Sequence, residues 1–209
     1  MKDLIIIGAG GMGRTLYYFI QECIGYNEKF AIKGFIDDNL EALDSYSGYP
    51  PIISSIQDYQ PVGNDVFVCS IGNVRQKRAC VELILSRNGK FDTLIHRDAM
   101  IRPSAKIGEG CIIATQAVVG ADAVVGNYSL IQGFAIIGHD VKIGSYCRVD
   151  SRVVCVGGVV INDNVTIHTS SVISHKVVIE KNATIGACSF VIKKVKEGNT
   201  VFGNPAKVL

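Results

Sequence analysis

From Ile95 to Val191 an aliphatic residue recurs at every sixth position: Ile95, Ile101, Ile107, Ile113, Val119, Val125, Ile131, Ile137, Ile143, Val149, Cys155, Ile161, Ile167, Ile173, Ile179, Ile185 and Val191. Only Cys155 departs from Ile or Val. Four residues after each stands a compact side chain, such as Ala105, Cys111, Ala117, Ala123, Ser129 and Ala135. Neither a two-residue strand period nor a 3.6-residue helical period produces this spacing, but a chain that turns a corner after each hexad does. Three hexads then form a triangular coil of eighteen with the aliphatics inside. Successive coils stack at the ~4.8 Å spacing of a β ladder, so each backbone group meets the coil above or below. About five such coils are expected, uninterrupted by any long loop, with Gly108, Gly120, Gly126, Gly138, Gly144 and Gly186 relieving the corners.

Before residue 95 the text changes to short β-branched runs separated by helical stretches. Strands are predicted at Asp3–Ile7, Ile32–Ile36, Val66–Ser70 and Phe91–Ile95, and helices at Met12–Ile24 and Val74–Ser86. That alternation favours a parallel sheet with helical crossovers. The expected organisation is an α/β Rossmann-like half domain over 1–94, an all-β parallel β-helix over 95–192 and a C-terminal tail over 193–209.

Charge narrows the functional classes. With 21 Lys and Arg against 19 Asp and Glu, the formal net charge is +2, which argues against nucleic acid as the main partner. The apolar run Leu4–Ile7 is too short for a signal-peptide core, and no run nears the roughly 18 residues of a membrane span, so a cytoplasmic protein without membrane insertion is expected. The 7 cysteines are odd in number and none stands in a Cys-x-x-Cys pair, which favours reduced structural thiols over disulfides or zinc. No metal is expected.

Gly8-Ala9-Gly10-Gly11-Met12-Gly13 follows the first strand and opens the first helix, and Asp37-Asp38 closes the second strand, where an acidic residue grips a ribose. Glycines let backbone approach a phosphate, and the helix N-terminus supplies N–H donors. A nucleotide-sugar, NAD or a purely structural tight turn fits that pattern. Only one mononucleotide-sized half precedes the repeats, which favours the nucleotide-sugar. Gly72-Asn73, before the next helix, offers a second place for a diphosphate, or simply a helix start.

In a β-helix, residues eighteen apart stack on one edge. His139, Gly157 and His175 are so spaced, and Asp140 follows His139. Acyl transfer from a thioester needs a base for the acceptor proton, a donor for the developing oxyanion and a slot for the carrier. A histidine and a glycine amide on one edge suit the first two; a surface histidine on a polar edge is the plainer alternative.

The hexads, including Ile107-Gly108-Glu109-Gly110-Cys111-Ile112, resemble those of the hexapeptide-repeat acyltransferases, which implies a left-handed parallel β-helix. The glycine turn, Phe35-Ile36-Asp37-Asp38, Ile71-Gly72-Asn73, Leu94-Ile95-His96, Ile137-Gly138-His139-Asp140 and Gly203-Asn204-Pro205-Ala206-Lys207 together resemble the NeuD/PglD-type sugar acetyltransferases over the whole chain. That resemblance implies a homotrimer that binds acetyl-CoA between adjacent β-helices and acetylates a sugar. By position it makes His139 the general base and Asp140 its orienting acid, with Gly157 meeting the acetyl carbonyl. It assigns Gly8, Gly10, Gly11, Met12, Gly13, Asp37, Asp38, Gly72 and Asn73 to the substrate nucleotide, and Gln132 to a sugar contact. Arg148 stands where a family member has a second histidine, and is expected to contact the thioester or a CoA phosphate; Lys193 and Lys194 could meet CoA phosphates. The expected reaction is direct N-acetylation of a nucleotide-linked amino-sugar. O-acetylation of sialic acid, a non-catalytic nucleotide-binding trimer and an NAD oxidoreductase are the competing readings.

Overall fold

The computed structural model describes all 209 residues and divides into two compact units, Met1–Leu94 and Ile95–Leu209. In the first unit, five parallel strands, β1 (Lys2–Ile7), β2 (Phe30–Ile36), β3 (Ile52–Ser54), β4 (Asp65–Cys69) and β5 (Lys90–Phe91), lie in the order β3-β2-β1-β4-β5. Two helices, α1 (Gly11–Gln21) and α2 (Val74–Ser86), form the crossovers. Leu4, Ile5, Ile6 and Ile7 are wholly buried, because a central parallel strand is covered on both faces and has no polar side to alternate with. Strand order reverses between β1 and β4, and the crevice beyond their carboxyl ends is where such sheets bind ligands. Ser70 ties the two ends together, its Oγ donating to the carbonyls of Ile7 and Gly8 at 2.8 and 3.0 Å.

Two expectations needed correction here, and one strand was not expected. The helix from Met12 stops at Gln21 rather than Ile24. The short strand Ile52–Ser54 carries too little alternation to be seen in sequence. The run Phe91–Ile95 is two strands, since Lys90–Phe91 joins the first sheet whereas Leu94–Ile95 belongs to the sheets of the repeats.

The second unit winds through three parallel sheets. Strands Ile112–Ile113, Leu130–Ile131, Arg148–Val149, Thr166–Ile167 and Thr184–Ile185 build the first face. Met100–Ile101, Val118–Val119, Ile136–Ile137, Val154–Cys155, Val172–Ile173 and Phe190–Val191 build the second, and Lys106–Ile107 through Val178–Ile179 the third. Each strand pairs with the residue eighteen further on, as in Val118 with Ile136 and Ile136 with Val154. The inward aliphatics and the compact residues between them form one buried core. Thr200–Gly203 extends the first face and turns back on Ala206–Val208, so the last residues pair with the β-helix.

The corners are built otherwise than expected. Gly120, Gly126, Gly138 and Gly144 do not adopt left-handed backbone. That conformation falls two residues later, at Asp122, Tyr128, Asp140 and Tyr146, each with φ 58°. The glycines serve close approach instead: a Cβ on Gly120 would stand 2.7 Å from the carbonyl carbon of Gly138, and one on Gly126 2.5 Å from that of Gly144. No helix is long and apolar enough to cross a membrane.

Candidate active site

His139 and Asp140 follow the second-face strand Ile136–Ile137, at the corner leading to the third face. Neighbours on an extended strand point to opposite faces. Here Asp140 lies in the left-handed turn, its amide fixed to the Ala121 carbonyl at 2.9 Å, and its carboxylate swings back to accept from His139 Nδ1 at 2.7 Å. The contact is therefore made within one chain. Both side chains are about two-thirds exposed, at 66% and 64%. An exposed pair of this kind adds at most ~1 kcal/mol to stability, so its consequence is orientation. Asp140 accepts a proton-bearing Nδ1 and leaves the Nε2 lone pair as the basic site.

That Nε2 faces Gly157, one coil on, and the ring lies where a Gly157 side chain would stand. Gly158 donates to the His139 carbonyl at 2.9 Å, fixing the register, whereas the Gly157 amide has no acceptor in the chain. His175 and Lys193 continue the same edge, both exposed. The next residue, Lys194, is held by Glu180 at 2.6 Å, and that ammonium draws the Glu180 carboxyl below its ordinary value.

The neighbouring edge, between first and second faces, carries a second cluster. Gln132, Asp150 and His168 are eighteen apart and touch: Asp150 Oδ1 accepts from Gln132 Nε2 at 2.9 Å, and Oδ2 lies 3.1 Å from His168 Nδ1. Arg148 grips the same carboxylate with Nε at 2.6 Å and Nη2 at 3.0 Å. Ser151 donates to Gln132 Oε1 at 3.0 Å. Asp150 is buried, at 6% exposure, yet every lone-pair direction it has is answered. Gln132 and Arg148 are thus placed by Asp150, a residue the sequence reading did not single out. The eighteen-residue rule that linked His139 to Gly157 would have found it.

In the first unit, Gly8 has φ 96°, and Gly13 packs so closely on the Gly8 carbonyl that a side chain there would enter it. Asp37 reaches across from β2, its Oδ2 accepting from Ala9 N at 2.7 Å and its Oδ1 from Asn39 N at 2.9 Å. Asp38 Oδ1 accepts from the amides of Ile56 and Gln57 at 2.9 and 3.2 Å. Both acids therefore hold loops around the crevice. Asn73 caps α2 by accepting from Arg75 and Gln76, and Gly72 precedes it. The amides of Gly10, Gly11 and Met12 donate to nothing in the chain, and α1 has no side-chain cap. None of the cysteines is in a disulfide, and burial pushes the Cys155 thiol up to about 12.

A Rossmann-like half domain joined to a parallel β-helix of uninterrupted hexads, with a carboxylate-held imidazole at a corner, defines the hexapeptide-repeat class. Residues 3–84 match the model of the PglD N-terminal domain, and residues 91–185 that of the GMPPB C-terminal domain. The acetyltransferase domain of PglB from Neisseria gonorrhoeae FA1090 superposes with a TM-score of 0.90 at 26% identity, with all of both chains covered. The same domain has also been solved in complex with acetyl coenzyme A (TM-score 0.89, 27% identity, 100% and 99% covered). PerB from Caulobacter crescentus, in complex with CoA and GDP-perosamine, shares the fold at TM-score 0.86 and 20% identity, with 100% and 98% covered. A UDP-N-acetylbacillosamine N-acetyltransferase of Bacillus subtilis (strain 168) is 28% identical over 117 residues, 54% of this chain; the match spans about half of that relative, 51%. Over both units the chain is thus similar to PglD-type sugar acetyltransferases, and its β-helix is the left-handed parallel form.

Proposed function

We propose that the protein transfers the acetyl group of acetyl-CoA to the amino group of a nucleotide-linked amino-sugar. The observation that carries this reading is the His139 imidazole, held at Nδ1 by Asp140 and turned at Nε2 toward a glycine whose amide has no acceptor. The neutral amine attacks the thioester carbonyl as His139 Nε2 takes its proton. The Gly157 amide donates to the carbonyl oxygen as it becomes anionic. Collapse breaks the C–S bond, the imidazolium returns its proton to the sulfur, and the products are an acetamide and free CoA thiol. A base contributes about 10²- to 10⁴-fold and one oxyanion donor about 2.7–4 kcal/mol. Asp140 keeps the tautomer and stabilises the imidazolium.

The nucleotide half of the substrate belongs with the glycine turn, whose free amides supply donors for phosphate. Similarity to the PglD-type acetyltransferases and the outward row Met100, Val118, Ile136, Val154, Val172 and Phe190, wholly apolar and adjoining the His139 edge, support a homotrimer with acetyl-CoA held between β-helices. Light scattering tests the assembly. Thiol release with acetyl-CoA and a panel of nucleotide-linked amino-sugars and sialic acids tests the reaction. Release with sialic acids alone would replace amine by hydroxyl as acceptor, and a His139→Ala enzyme of full activity would remove the mechanism.

A further inference from the structure

The glycine turn carries a cation that no role above uses. Arg14 stands in the first turn of α1, where side chains lean back toward the N-terminus. Its Nη2 lies 3.9 Å from the place a Cβ on Gly11 would occupy, so the guanidinium borders the mouth of the turn. A cation there opposes the helix dipole, and the first turn holds no acidic residue to offset it. Arg14 makes no ion pair; its guanidinium carbon instead sits 3.6 Å from the centroid of the Tyr46 ring. Tyr46, half exposed, lies in the segment that leaves β2 just after Asp37 and Asp38. One stretch of chain therefore supplies both the acids around the crevice and the ring under the guanidinium.

We propose that Arg14 binds the diphosphate of the nucleotide-sugar, and that Tyr46 positions its guanidinium beside the turn through the cation–π contact. The inference rests on the nucleotide reading of the turn. A forked donor set next to the free amides of Gly10, Gly11 and Met12 matches the several oxygens of a phosphate rather than a single carbonyl. The ring holds a partly buried cation at an unfavourable helix end without a carboxylate that an incoming phosphate would have to displace.

Calorimetry on the full chain with UDP, GDP, dTDP, their nucleosides and CoA tests this. Arg14→Ala should weaken the preferred nucleoside diphosphate about tenfold or more, and Arg14→Lys less, with nucleoside and CoA affinities unchanged. Tyr46→Ala should give a smaller loss and Tyr46→Phe none, because the ring and not the hydroxyl makes the contact. In turnover the effect should fall on KM for the nucleotide-sugar, not on kcat. A wild-type protein that binds none of these nucleotides would overturn the underlying reading of the turn. Wild-type binding with an unimpaired Arg14→Ala variant, or a loss confined to CoA, would overturn the role of Arg14 alone. Undiminished affinity in Tyr46→Ala would overturn the role of Tyr46.

Discussion

Two glycines on successive coils should respond oppositely to the same added methyl. At Gly157 the backbone is ordinary for an L-residue, and the nearest atoms a Cβ would meet are those of the His139 ring, 2.9 Å from Cδ2 and closer still to Nε2. Carbon contacts settle at ~3.5–4.0 Å, so the ring must retreat by about 1 Å. An exposed side chain can do so at little cost to folding. The methyl also fills the space between the base and the Gly157 amide, where the acyl carbonyl must lie. A displacement of that size can cost about 10²-fold in rate. At Gly138 a Cβ would stand 2.8 Å from the Cys155 carbonyl oxygen, which accepts from Gly138 N in the ladder, and 2.9 Å from the Gly157 backbone nitrogen. They cannot move without parting two coils, and overpacking of this kind costs about 1–3 kcal/mol. Gly157→Ala should therefore keep its melting temperature within a few degrees and lose about 10²-fold in thiol release, whereas Gly138→Ala should lose stability. A Gly157→Ala enzyme within about threefold of wild-type rate would refute the placement of base and donor on facing sides of one acyl slot.

Gly13→Ala should lower stability by about 2–3 kcal/mol in urea melts, because its side chain would enter the Gly8 carbonyl, and nucleotide binding should fall with it. Asp65, nearly buried, accepts from Lys33 at 2.6 Å, Tyr59 at 2.7 Å and the Val62 amide at 2.9 Å. Burial pushes its carboxyl up, but Lys33, the Val62 amide and Tyr59 together hold it below the ordinary 3.8. The folded state thus binds this proton less readily than the unfolded chain, so the stabilisation is whole above pH 3.8 and fades as pH falls through the lower folded value. Asp65→Ala should cost ~3 kcal/mol at neutral pH and flatten the acid limb of a denaturation series. Asp150→Asn should weaken the hold on Arg148, His168 and Gln132 together; its loss should fall on KM for acetyl-CoA if that edge meets the cosubstrate, and on melting temperature alone if it does not.

The β-helix was legible because each inward aliphatic is dictated by the same geometry, and nothing outside the hexad competes with it. Gly138 misled because glycine answers two different demands, positive φ and close backbone approach, and sequence does not distinguish them. The His139–Asp140 bond follows from the resemblance and not from the strand pattern, because a non-glycine residue in the left-handed region at Asp140 reverses the usual alternation. Asp37 read as a ribose ligand, yet a carboxylate at the end of β2 is equally suited to hold the Ala9 amide. Arg14 and Tyr46 meet across 32 positions with no periodicity to relate them, so only the folded chain brings them together.

A rigid ladder explains why the chemistry gathers on edges. Inward positions are closed by the core, and outward strand positions of the second face form an apolar row. Corner residues donate to the coil before them, as Asp140 N does to the Ala121 carbonyl at 2.9 Å, but at Glu109, His139, Ser145 and Gly157, two places past an inward aliphatic, the amide makes no ladder bond. Where the next coil offers an acid or amide side chain, that spare donor is absorbed, as Ser145 N is by Asp163 at 2.8 Å and Glu109 N by Asn127 at 3.0 Å. On the His139 edge the next coil offers Gly157 and then His175, and the amides remain available. Placing an acceptor side chain at 175, eighteen past Gly157, should close the donor without touching the base. His175→Asn, with its carboxamide positioned to accept from the Gly157 amide as Asn127 does from Glu109, should abolish turnover while preserving the β-helix signature in circular dichroism. Retained turnover in that variant would mean that the spare amide of Gly157 takes no part in the reaction.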